Sequence, residues 1–253
     1  MATHLAYRIL SATAQDLAAD GVVYAEVRFA PELHVENGLD PDAVVAAVLD
    51  GFRIGTDRAA AAGRTIRIGV LLTAMRHADR AQEIAELAVR HREAGVVGFD
   101  IAGAEAGFPP SRFADTFTWL AAHHLPVTVH AGEGDGLDSV RSALVDGRAL
   151  RLGHGVRLVE DVALSDAPDD DVSIELGELA RWVRDRGIAL EVCPSSNLQT
   201  GAAGSIADHP ITGLKDLGFA VTVNPDNRLM SATSVSREIR LLIDEAGWDQ
   251  ADL

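Results

Sequence analysis

The feature that most constrains this chain is a strict alternation of strand-like and helix-like runs. A β-rich run, VVYAEVRF (residues 22–29), is closed by Pro31. Pro41 then opens a helical run that lasts to Ala62 and stops at Gly63. The pattern continues with strands over 65–73, 96–101, 126–130, 152–154, 188–193 and 219–224. Helices fall between and after them, over 77–93, 111–123, 138–147, 174–186, 210–216 and 234–246. A helix over 3–19 precedes the first strand, with Leu5, Ile9, Ala12 and Leu17 near one face. The acidic stretch DAPDDD (166–171) reads as an exposed loop.

Alternation of this kind predicts a parallel sheet with helices outside it. An open doubly wound sheet and an eight-stranded barrel both satisfy it. No strand leads into a GxGxxG or GxxxxGK[ST] phosphate loop. The residues able to do chemistry sit at the C-terminal ends of several different strands, where barrel enzymes build their sites. The expectation is an α/β fold, a TIM (β/α)8-type barrel, forming a single partial domain over residues 1–253. Seven strand runs are present, so the barrel is expected to lack its first strand in this chain. Aromatics are only 5% of residues against 47% hydrophobic, so the core must be aliphatic.

Charge narrows the partners. A net charge of −16 disfavours a nucleic-acid backbone or an anionic membrane, because both need a basic face. The single cysteine, Cys193, rules out an internal disulfide and fits a reducing compartment. No apolar run reaches the roughly 18 residues of a membrane span. The start, MATHLAYRIL, has no basic segment leading into an apolar one, so no signal peptide is expected. The expected location is cytoplasmic.

Three strand ends carry candidate chemistry. In VTVHAGE (127–133), His130 ends an apolar strand and Glu133 follows in a glycine-containing turn. A neutral imidazole there can ligate a metal, and the carboxylate beyond can carry protons. His154 lies between two glycines in RLGHGVRL, which leaves its ring uncrowded. Asp226, after VTVNP, fits two readings, a helix N-cap or a hard oxygen ligand. Gly103 and Glu105 lie in the turn of FDIAGAEAG, where small residues admit a ligand close to the backbone. Cys193 precedes PSSN but has no GxSxG elbow and reads as core. His77, His91, His123, His124 and His209 lie in or beside helices and read as surface or packing residues. Arg151 and Arg157 read as partners of surface acids.

At these residues the chain resembles the adenosine deaminase family of metal-dependent amidohydrolases, in its actinobacterial form. The matching runs are DGVVYAEVRFAPELH, VVGFDIAGAE, VTVHAGE, RLGHGVRL, EVCPSSNLQTG and VTVNPDNRLMS, spread over essentially the whole chain. The other zinc deaminase type, with H-x-E and P-C-x-x-C, is not matched. The resemblance implies zinc (Zn2+) as cofactor and a small purine nucleoside as substrate. It makes His130 and Asp226 metal ligands, Glu133 the proton donor to purine N1, and His154 the group that orients and helps deprotonate the attacking water. Gly103 and Asn227 become substrate contacts. The implied reaction is hydrolytic deamination of adenosine and 2'-deoxyadenosine to inosine and ammonia, in purine salvage.

The sequence departs from the family pattern in ways that matter. No H-x-H, the family's source of two zinc ligands, occurs in it. Asn227 stands where a second aspartate is usual, Pro225 where a threonine is usual, and the chain ends before the family's closing helix. With two ligands of four, zinc binding and turnover by this polypeptide are expected to be impaired. The alternatives are a non-catalytic relative that binds a purine or a protein, and a deaminase of adenine or a modified adenosine.

Overall fold

The computed structural model describes residues 2–35, 38–166 and 172–253. The acidic loop expected over 166–171 therefore lies, apart from Asp166, outside the described residues. The chain falls into two compact units, one of residues 1–103 and 113–127, the other of residues 104–112 and 128–253.

The first unit alternates as the sequence dictates: α1 (Ala2–Ala19), β1 (Tyr24–Phe29), α2 (Pro41–Ala61), β2 (Arg67–Met75), α3 (Ala81–Arg90), β3 (Val96–Ala102) and α4 (Ala114–Ala122). Its strands pair in parallel in the order β1-β2-β3. α2 begins where Asp40 accepts the Asp42 N–H and Pro41 presets the first turn. α3 is shorter than the expected 77–93, because the chain on either side of it is turn and 3-10 helix. The large apolar side chains fully buried in it are aliphatic and phenyl: Leu71, Leu72, Ile84, Leu87, Phe99, Ile101, Phe117 and Leu120. Phe99 and Phe117 meet edge to face at 6.1 Å.

The second unit contains β4 (Val127–Ala131), α5 (Leu137–Val145), β5 (Arg151–His154), β6 (Val162–Asp166), β7 (Val172–Leu176), α6 (Glu178–Asp185), β8 (Ala189–Val192), α7 (Pro194–Thr200), α8 (Pro210–Asp216), β9 (Val221–Val223) and α9 (Val235–Ala246). Here β4, β5, β8 and β9 pair in parallel, in that order. Val129, Leu152, Leu190 and Val192 are buried on these strands, and Val140, Val183 and Ile211 are buried on the helices. All seven expected strand runs are strands.

Two elements differ from expectation. The run 174–186 is not one helix. Its first residues belong to β7, which pairs antiparallel with β6, and the helix begins only at Glu178. The β-branched Val172 and Ile174 explain the strand, and Gly177 separates it from the helix. The second is α7, whose polar sequence PSSNLQT carries no apolar period to announce it. Pro194 starts it and Gly201, in the left-handed conformation at φ +77°, ends it.

Candidate active site

The second unit gathers most of the sequence-predicted site residues. In the parallel register of β4 and β5, His130 lies opposite Gly153 and Ala131 opposite His154. The two histidines thereby end neighbouring strands one step apart, and their ring centroids stand 5.4 Å from each other. A Cβ at residue 153 would lie 3.1 Å from the His130 ring, so any larger residue there would press on the imidazole. His154 is buried and its backbone is left-handed at φ +66°. That conformation is uncommon outside glycine and tends to gather at functional positions.

Glu133 sits in the turn after β4, and that turn is pinned by another carboxylate. Glu105 Oε1 accepts the Gly132 N–H at 2.6 Å. Its Oε2 accepts the N–H groups of Glu133 at 3.1 Å, Gly134 at 2.7 Å and Asp135 at 3.1 Å. From the other side Arg157 Nε donates to the Glu133 carbonyl at 2.9 Å. Gly132 takes φ +74°, and a Cβ there would meet Val140 at 2.7 Å, so the turn demands a glycine.

The Glu133 side chain then meets α7. Its Oε1 accepts from Asn197 Nδ2 at 2.8 Å and from Thr200 Oγ1 at 2.9 Å. Its Oε2 lies 3.3 Å from His154 Nε2. Asn197 Nδ2 is also 3.1 Å from His154 Nδ1. Burial pushes the Glu133 carboxyl above its ordinary value of 4.5. The Thr200 and Asn197 donors pull it back in part, the charge of Asp226 adds to the rise, and His130 opposes it.

Asp226 follows β9 with a left-handed backbone at φ +50°, and its Oδ2 accepts from Ser196 Oγ at 2.7 Å. The helix-cap reading of Asp226 does not hold, since the next helix, α9, is capped by Ser234. Asn227 Oδ1 accepts the Met230 N–H at 3.3 Å within its own exposed turn. Gly103 belongs to the first unit, at φ +104° after β3 and beside Met75, Arg76 and His77. The remaining histidines behave as packing or surface groups: His91 Nε2 lies 2.8 Å from Asp42 Oδ1, and buried His209 accepts the Ile211 N–H to cap α8. Burial depresses His209 to about 4, which keeps that cap neutral. Arg151 stands 3.2 Å from Glu191 and Arg157 stands 2.6 Å from Glu160, as their reading as acid partners requires.

The nitrogen and oxygen donors of His130 and Asp226 are of the kinds zinc accepts. Among the described residues, however, no three His, Cys, Asp or Glu side chains come together to hold a metal ion. The donor types fit and their number falls short.

A family model described as adenosine deaminase matches residues 2–253. The chain belongs to the adenosine deaminase family. It is 55% identical to an adenosine deaminase of Mycolicibacterium vanbaalenii over 98% of this chain and 67% of that one. It is 56% identical to adenosine deaminase 1 of Streptomyces coelicolor, over 97% of this chain and 61% of that one. The chain thus spans about two thirds or less of these relatives' lengths. Among solved structures, an adenine deaminase from Arthrobacter aurescens superposes with a TM-score of 0.82 at 22% identity, covering 98% of this chain and 70% of that one. A zinc-bound amidohydrolase from Burkholderia ambifaria gives 0.82 at 24%, covering 98% and 64%. The fold of this family member is therefore the amidohydrolase TIM-barrel type, as the spread of chemical residues over several strand ends and the family resemblance implied.

Sequence reasoning missed Asn197, Thr200 and Ser196, and read Glu105 only as part of a turn. Asn197 and Thr200 are three apart on one helical turn, a spacing that puts both on one face. The signal for them was available only in part: a polar segment immediately beyond the end of β8, with Pro194 to start a helix.

Proposed function

We propose that this chain carries the machinery of an adenosine deaminase-type hydrolase, converting adenosine and 2'-deoxyadenosine with water to inosine and ammonia. The observation that carries the reading is Glu133, a half-buried carboxyl of raised proton affinity set 3.3 Å from His154. An acid of that kind can protonate purine N1, which draws electrons from C6 and opens it to water. His154 orients that water and takes its proton, and the proton returned to the exocyclic nitrogen lets ammonia leave. Gly103 and Asn227 are the substrate contacts in this reading. His130 and Asp226 would hold zinc together with further donors, and a bound zinc supplies a water made acidic enough to attack near neutral pH. We place the enzyme in the cytoplasm as one partial barrel domain, a location supported by the lone buried cysteine, Cys193. Among the described residues no helix is long and apolar enough to cross a membrane.

The lack of a three-donor group among the described residues favours one second reading, a purine-binding relative without catalysis. Amine release, read as ammonia from adenosine, 2'-deoxyadenosine and adenine and as methylamine from N6-methyl-AMP, with zinc content measured on the same dialysed sample, separates the two. The expected result is well under one zinc per chain and slow, zinc-dependent turnover of the two nucleosides. Glu133→Gln should lower that turnover by about 10²- to 10⁴-fold. Faster release from adenine would overturn the substrate assignment. Full zinc occupancy would overturn the two-donor reading, and no ammonia from any purine at saturating zinc would select the binding relative.

A further inference from the structure

We infer that Asn197 is a positioning residue that decides which nitrogen of His154 carries the hydrogen, and so joins His154 and Glu133 into one proton-transfer unit. Its use in deamination rests on the function proposed above.

Asn197 is fully buried in α7. An ionised carboxylate can only accept, so Glu133 Oε1, at 2.8 Å, selects the NH2 end of the amide to face it. The opposite orientation would set the amide oxygen against the carboxylate. The same NH2 group stands 3.1 Å from His154 Nδ1. An amide nitrogen has no lone pair to accept with, so that approach is favourable only when Nδ1 carries no hydrogen. The imidazole hydrogen is then on Nε2, the atom 3.3 Å from Glu133 Oε2.

The two carboxylate oxygens thereby acquire different tasks. Oε1 is held by Asn197 and Thr200, while Oε2 faces the His154 N–H. Asn197 Oδ1 is buried without a hydrogen-bond partner, a penalty the amide bears to keep its nitrogen between the two residues. A side chain present only for packing would not need this orientation.

The test is 15N NMR of the His154 ring in the metal-free, full 253-residue chain, with the signal assigned through His154→Gln. Wild type should show hydrogen on Nε2. Asn197→Ala should spread it over both nitrogens, and Asn197→Asp should draw it to Nδ1, because the new carboxylate accepts there. Hydrogen on Nδ1 in wild type overturns the proposal without any variant having to fold. An unchanged Nε2 hydrogen in both folded variants, judged by their amide spectra, overturns it as well. Absence of ammonia release would defeat the deaminase reading but would leave the ring measurement as it stands.

Discussion

Two carboxylates in the second unit, Glu105 and Glu133, are both well packed and both richly hydrogen-bonded, yet they are held in opposite ways. Glu105 is surrounded by four backbone N–H groups of one turn. Backbone donors cannot rotate away or give up their hydrogens, so such a carboxylate pins a loop. Glu133 is met by a side-chain amide, a hydroxyl and an imidazole, each able to reorient or exchange a proton. Its burial raises its proton affinity. The difference separates an anchor from a proton carrier, and the anchor fixes the backbone from which the carrier projects.

The largest effect should come from removing the anchor. Glu105→Ala leaves the N–H groups of residues 132–135 without their acceptor and should lower the unfolding free energy by about 3 kcal/mol, read by urea denaturation. A loss below about 1 kcal/mol would mean that water replaces the carboxylate freely and the anchor role is wrong. The carrier should show itself through pH. Because the folded Glu133 binds its proton more tightly than the unfolded one, the wild type loses stability as pH rises from 4.5 through the raised folded value. Glu133→Gln has no such titration, so its melting temperature should gain on the wild type across that window and then run parallel to it. A constant offset at all pH values would place Glu133 with Glu105. The smallest effect is expected from Thr200→Val, which deletes one hydroxyl donor to Glu133 at nearly constant shape. It should cost about 1 kcal/mol in the same denaturation experiment and push the Glu133 transition to still higher pH.

The alternation of periods made the parallel strands legible, since a buried apolar run such as VTV or IALEV has few other uses. The hairpin of β6 and β7 was not legible, because Val172–Leu176 runs on into the helical pattern of α6 and the two periods blur across Gly177. His130, Glu133, His154 and Asp226 could be singled out in the sequence because each lies at or just beyond the end of a strand. Asn197 and Thr200 were not, since their meaning depends on a carboxylate 64 and 67 residues away.

The left-handed backbones of His154 and Asp226 have a consequence for engineering. Glycine adopts that conformation without the roughly 1 kcal/mol or more that other residues forfeit. A library selected only for heat resistance would therefore find glycine rewarding at both positions. Each such gain would strip an imidazole or a carboxylate from the candidate site, so stability and chemistry must be selected together here.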